Sequence, residues 1–380
     1  MKFCINIVIL LLIMSLASGC GKRNRAASEE SKDLDFRFEK VLETSDDSGS
    51  FYFKYPDNSY YGGLIRADDR GDIYVRDSGR ILKFSGSGEF IKNLMQEGQG
   101  PGEITNLKTF LVTGNKLIIY NSSPPKIILK NMAGSLIEEF RIGKKPLNRF
   151  LAFHNGRYYF SDSDAPEIKG GEAKIIDIFH YLIEVSPKGE VKKIENFSFP
   201  IKTFVVSQNG AYGMIDVGEL IVTPTNKGNY FFVSHTPEYS LKLWDVDKKA
   251  VIKTIKKPYE RRKPPLEIAE KINRQAFQLN DKLYRPPPPK YLNDIRQLLV
   301  YRDKMWVVTS TVDKEKGILI DVYDSSGDYS GKFYLKLPGR LKHLDYYFLN
   351  IFVYGDYLYT IERDAEDNPW LVKYRIIAKS

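Results

Sequence analysis

From Gly71 to Leu94 the chain reads GDIYVRDSGRILKFSGSGEFIKNL, with apolar and polar residues alternating in short runs broken by glycine and serine. This pattern predicts three strands (Asp72 to Arg76, Arg80 to Phe84 and Glu89 to Leu94) joined by tight turns. The two-strand phrase recurs down the chain and marks six units: Leu64 to Gln96, Leu107 to Ile142, Arg149 to Phe197, Ala211 to Ile255, Tyr291 to Leu337 and His343 to Ile377. Each opens on a run such as GRYYFSDS or GDYLYTIERD that ends in polar residues. An apolar strand then carries a turn such as MAGSL, SPKGE or SSGDY. A repeat of about 35 to 50 residues without helical spacing predicts an all-β ring. The predicted fold is a six-bladed β-propeller of four-stranded antiparallel blades, with seven blades as the alternative if Thr203 to Thr225 forms a degenerate blade. One strand, Asp35 to Glu43, has no blade of its own and is expected to complete the sixth, closing the ring.

The segment Gly98-Gln99-Gly100-Pro101-Gly102-Glu103 follows the first repeat. Together the two resemble the bacterial six-bladed β-propeller family related to NHL repeats, in which such a phrase marks the passage from one blade to the next. The resemblance is specific over residues 71 to 104 and diffuse elsewhere. Physically, the three glycines permit unusual backbone angles, Pro101 stiffens the turn, and Glu103 is placed to accept backbone N–H groups. A phosphate-binding loop would need a following helix and a Lys-Ser/Thr pair, which Ile104-Thr105-Asn106 does not supply. Leu243-Trp244-Asp245 is similar to a tryptophan-aspartate repeat strand but lacks the Gly-His partner, and reads as generic blade chemistry.

The first residues follow different rules. Met1-Lys2, an apolar run from Ile5 to Leu16 and the small-residue end Ala17-Ser18-Gly19-Cys20 predict a cleaved export signal, 1–19. The ending resembles a bacterial lipobox, with Ala17 where Leu is commonest. That resemblance implies an acylated Cys20; residues 20–33, rich in charge, Ser and Ala, read as a flexible tether, and 34–380 as the propeller. The only cysteines are Cys4 and Cys20, so no disulfide is expected. The expected location is the bacterial cell envelope, lipid-anchored to a membrane.

Lys256 to Lys290, KKPYERRKPPLEIAEKINRQAFQLNDKLYRPPPPK, interrupts the strand pattern between the fourth and fifth units. Pro265 followed by Leu266, Ile268, Ala269, Ile272, Ala276 and Leu279 predicts a short amphipathic helix, and Pro286 to Pro289 an extended run. The segment holds ten basic and four acidic residues, an excess of +6 against +9 for the whole chain. Charge concentrated in one insertion of an exported protein argues against a nucleic-acid binder. Arg261, Arg262, Lys263, Arg274 and Arg285 are the candidate binding residues, on a lid, a docking arm or a membrane contact.

Catalytic motifs are absent from the sequence. His154, His180, His235 and His343 have no metal-like spacing, Asp77, Asp162, Asp164 and Asp216 sit at strand ends, and no nucleophile elbow occurs. No cofactor, metal or catalytic residue is assigned. The expected function is a monomeric, non-catalytic binding module for an envelope protein, peptide or glycan. A metal-dependent hydrolase or lyase, lactonase-like and using the central channel, is the alternative.

Overall fold

The computed structural model describes residues 32–45, 53, 65–164, 173–208, 211–226, 229–272, 276–279, 281–347 and 349–379. The signal 1–19, Cys20 and most of the tether lie outside them. From Asp33 onward the chain folds as one compact unit.

Six sheets form the ring. After strand β1 (Phe36–Thr44), the first blade is β2 (Ile65–Ala67), β3 (Ile73–Asp77), β4 (Arg80–Phe84) and β5 (Phe90–Asn93). The second is β6 (Leu107–Thr113), β7 (Lys116–Ser122), β8 (Pro125–Asn131) and β9 (Leu136–Arg141). The third holds five strands, β10 (Arg149–His154), β11 (Arg157–Ser163), β12 (Ala173–Val185), β13 (Val191–Gln208) and β14 (Ala211–Asp216). The fourth is β15 (Ile221–Pro224), β16 (Tyr230–Ser234), β17 (Ser240–Asp245) and β18 (Ala250–Lys256). After the insertion, with helix α1 (Leu266–Ile272) and the hairpin β19 (Phe277–Leu279) and β20 (Lys282–Tyr284), comes the fifth: β21 (Ile295–Tyr301), β22 (Lys304–Asp313), β23 (Gly317–Asp324) and β24 (Tyr329–Leu335). The sixth is β25 (Ile351–Tyr354), β26 (Tyr357–Arg363) and β27 (Pro369–Ala378), completed on its outer edge by β1. β1 pairs antiparallel with β27 from Phe36 opposite Ala378 to Thr44 opposite Leu371. The chain is a six-bladed β-propeller of antiparallel blades.

Burial explains which strands go where. The two middle strands of a blade are packed on both faces, as in IYVRD of β3 and IILK within β8. Outer strands such as FIKN, LIEEFR and AVIKTIK face water and are mostly exposed. Apolar content therefore rises and falls along each repeat and sets the radial order of the strands. Six apolar clusters result, one at each junction between neighbouring blades. The cluster of Ile65, Val75 and Phe84 with Tyr359 and Leu371 joins blade six to blade one and seals the ring.

Polar residues towards the ends of the second strands of blades two, five and six share a structural task. Asn121 accepts hydrogen bonds from the Thr105 and Asn106 amides and donates to the Pro124 carbonyl. Thr360 donates to the Asn350 carbonyl, and the Ser310 amide to that of Asp294. Each pins the crossing from the previous blade, where buried backbone groups would otherwise lack partners.

Three expectations need correction. Ala211 to Asp216 does not begin blade four; it is the fifth strand of blade three, pairing with β13 from Thr203 opposite Asp216 to Gln208 opposite Ala211. Residues 203–225 are accordingly no seventh blade. The third unit continues past Phe197 because three extra residues, Glu195 to Phe197, bulge out between the Tyr181–Ser198 and Leu182–Ile194 pairs, Asn196 taking a φ of 64°. Beyond the bulge β13 stays in register with β12 as far as Ala173 opposite Val206. The amphipathic helix is also shorter than expected. It stops at Ile272, leaves Leu266 75% exposed and buries Ile268 at its base, while Phe277 to Leu279 form a strand against Lys282 to Tyr284. Asp281, at a φ of 61°, turns that hairpin.

Candidate functional site

Strand direction alternates within each blade, so one end of the ring, called here the lower face, receives the turns after each first and third strand. These turns contain two to five residues each, from 114–115 and 155–156 to 68–72 and 186–190. The upper face receives 94–106, 142–148, 257–294 and 336–350, together with the extended part of blade three. Among the described residues, every connection longer than five residues opens on this upper side.

The insertion is fastened at its base. Lys257 Nζ lies 2.5 Å from Asp321 Oδ1, and the Tyr259 hydroxyl 2.8 Å from that of Thr311. Arg261 pairs with Asp294 at 3.3 Å and Glu238 at 3.6 Å, and its guanidinium covers the Tyr291 ring. Burial raises the Asp294 carboxyl pKa against the pull of Arg261. The Leu292 amide donates to the Arg262 carbonyl at 2.9 Å, so the strands leaving and returning meet at a neck. Arg261 is therefore committed to holding that neck. Arg262 pairs with the exposed Glu260, Lys263 and Arg285 point to solvent, and Arg274 lies outside the described residues. Beyond the neck, β19 lies against β14 of blade three.

Gly98 to Glu103 join blades one and two on the same face. The Gly100 amide donates to Glu103 Oε2 at 2.8 Å, and the Gly102 amide to Glu139 Oε2 at 2.8 Å. Lys126 bridges Glu139 and the Gly100 carbonyl, and Pro101 sits in the turn between the glycines. These groups are spent on one another.

The channel mouth carries charges that the repeat pattern concealed. The first strands β2, β6, β10, β15, β21 and β25 stand side by side around the axis. At or near their upper ends stand Arg66, Lys108, Arg149, Glu219 and Arg296, with Arg76 reaching in from β3. Arg149 lies 3.7 Å from Glu219 and donates to the Leu220 carbonyl, while Arg296 donates to the Tyr346 carbonyl at 2.5 Å. Arg76 donates to the Lys108 carbonyl. Lys108 and Arg149 line one narrow cleft with Thr109, Asn148 and Phe150. Arg66 donates to its neighbour's carbonyl at 2.8 Å and covers the Phe352 ring at 5.1 Å.

The electrostatics match that geometry. Arg66 keeps only partial contact with water, and protein packed around it, with Arg76 nearby, lowers its pKa to about 10. Glu219 has 23% of its side chain accessible, yet enclosure raises its pKa despite attraction from Arg149 and Arg296. Arg149 and Arg296 both act on Glu219, while Arg66 and Lys108 have no carboxylate partner among the described residues.

The other candidate groups are dispersed. His154 bonds Asn229, His235 stacks on Phe199 at 4.7 Å, and His343 lies edge-on to Tyr347. His180 stands 3.9 Å from Asp216 in blade three, its pKa lowered by burial against the pull of Asp216 and Asp162. Asp162 and Asp164 both accept from the Tyr181 hydroxyl, and Asp77 pairs with Arg80. Among the described residues, no three His, Cys, Asp or Glu side chains converge as metal ligands. A cleft of about 740 Å³ opens off the axis between Arg340 to Asp345 and Arg363 to Asp367. Of the charges lining it, Arg363 pairs with Asp367, and Arg340 turns to Glu43 outside the cleft.

Ring closure, blade count and loop placement define a six-bladed propeller with one elaborated face. Residues 32–211, which take in β1 and the first three blades up to the start of β14, match a family described as 6-bladed beta-propeller. No curated protein matches the chain in sequence. Among solved structures, the chain is similar to a protein of Bacteroides fragilis NCTC 9343 named as exported, at 16% identity and a TM-score of 0.47, over 93% of this chain and 98% of the other. It is similar to a chain of the mitotic checkpoint complex at 10% identity and a TM-score of 0.46, over 92% and 96%. It is also similar to a gluconolactonase of Xanthomonas campestris at 13% identity and a TM-score of 0.42, over 80% and 82%. Among the described residues, no helix is long and apolar enough to cross a membrane.

Proposed function

We propose that the chain is an exported, lipid-anchored, non-catalytic binding module of the cell envelope, whose upper face receives a protein, peptide or glycan. The observation carrying this reading is the asymmetry of the ring. Lower turns hold two to five residues, whereas upper segments include 257–294 and a blade three extended past its neighbours. A propeller needs only short connections to close, and long ordered connections over a rigid scaffold are where recognition resides. Acylation at Cys20 would tether that scaffold at the membrane by a flexible lead.

The neck at Arg262 and Leu292 makes a clean test possible. Excising 264–290 and bridging Lys263 to Tyr291 with two glycines keeps the Lys257, Tyr259 and Arg261 contacts intact. Wild type and the excised variant are compared on glycan and peptide arrays, with circular dichroism and thermal unfolding confirming the ring. Loss of the wild-type hits in a folded variant is the expected result. Identical hits in both would remove the insertion from the binding surface.

A further inference from the structure

We infer that the upper channel mouth is a binding site for an oxyanion, the carboxylate or phosphate group of a small ligand. The inference rests on the reading of the upper face as the receiving surface and adds its chemistry. Four blades contribute cations to one ring: Arg66 and Arg76 from the first, Lys108 from the second, Arg149 from the third and Arg296 from the fifth. The residue leading into blade four supplies a carboxylate, Glu219, which lies between Arg149 and Arg296 in its interactions. No carboxylate among the described residues pairs with Arg66 or with the exposed Lys108.

Arg66 is the informative member. Holding a guanidinium away from water costs stability unless an anion compensates it, and here the neighbours are a carbonyl, the Phe352 ring and a second arginine. A merely structural residue at this position would be better apolar or neutral. Arginine forks hold planar oxyanions through two parallel N–H bonds, and a cleft lined by one sign of charge concentrates the opposite ion. Backbone bulges reinforce the arrangement. Lys108 and Arg296 occupy the extra position in β6 and β21, where the ladder skips from Leu107 to Thr109 and from Ile295 to Gln297. A bulge re-aims the side chain it carries, which is how these two leave the alternation of their strands.

The test is isothermal titration calorimetry of the purified protein with glucuronate and with inorganic phosphate, glucose serving as the neutral counterpart. At least one anion should bind in low salt, weaken on adding sodium chloride and weaken at least tenfold in K108E, where the side chain is exposed and circular dichroism checks folding. R66Q should also weaken binding at least tenfold while raising the Tm of the unliganded protein by about 1–2 °C, a combination that a structural arginine would not produce. Tighter binding of glucuronate assigns an acidic sugar, and tighter binding of phosphate a phosphate ester. Absence of binding to both at millimolar concentration, or binding unchanged in K108E and R66Q, overturns the inference. Array hits that survive both substitutions would overturn it while leaving the upper face a binding surface.

Discussion

Phe38→Ala tests the closure of the ring. Phe38 is 9% exposed on β1, in the cluster formed by blades five and six, with its ring 6.3 Å from that of Phe333. The side chain therefore links the outer strand of blade six to the face of blade five. Truncating a buried phenylalanine costs roughly 3–5 kcal/mol, and a residue at the outer rim belongs at the lower end. We expect about 3 kcal/mol, on the order of a hundredfold in the folded-to-unfolded ratio. With an m-value of about 3 kcal/mol/M, the urea midpoint should fall by about 1 M.

Arg37→Ala is the matched control, since Arg37 occupies the exposed face of the same strand. Trp306 fluorescence is a suitable probe, because Phe36 on the same strand lies 5.2 Å from that indole. Phe38→Ala should also aggregate more readily as β1 loosens, because a bare β27 presents an unpaired edge. Equal midpoints for the two variants would refute the assignment of β1 as the strand that seals the ring.

Lys257→Met should destabilise the protein by about 3 kcal/mol, because it strands the fully buried Asp321 with only the Tyr239 and Tyr329 hydroxyls, and Asp321→Asn in addition should recover part of the loss in urea titrations. Gly98→Ala should cost about 1–3 kcal/mol by thermal unfolding, since a Cβ there would collide with Glu103 Oε2 and displace it from the Gly100 amide. Glu219 binds its proton more tightly in the folded state than at its ordinary 4.5, so it favours folding at low pH and loses that contribution as pH rises through the folded value. Protonation also adds net positive charge to the channel mouth; glucuronate, which keeps its charge, should bind more tightly by calorimetry as pH falls through the folded value of Glu219 in wild type, and the profile should be flatter in Glu219→Gln.

The ring was legible in the sequence because its determinants are local and repeated. IYVRD with RILKF and KLIIYNS with KIILKN are central strands by composition, and FIKN or AVIKTIK outer ones. The closing role of FRFEKVLE followed from a strand lacking partners nearby. The extent of blade three is not legible in the sequence, because a bulge of Glu195 to Phe197 lies inside one strand and nothing in period-two alternation marks three residues that leave a ladder and let it resume. The helix was overextended because Ala276 and Leu279 fit the spacing begun by Leu266 and Ile268. Pairing of Phe277 to Leu279 with Lys282 to Tyr284 prevails over that spacing.

The channel mouth was hidden for a related reason. In a strand buried on both sides, an isolated charge reads as an exception to be tolerated, and Arg66, Lys108, Arg149 and Arg296 are each single charges in otherwise apolar strands. They become a set only when the starts of the first strands are superimposed, which requires the blades to be correctly phased. Two of them stand on bulges, so even correct phasing misplaces their side chains by one position. The basic insertion drew attention through its density of charge, yet its first arginine secures the neck through Asp294 and Glu238. Local charge density thus marked a segment that must be held down. The charges spread singly over four blades converge on the axis, where only ring closure brings them together.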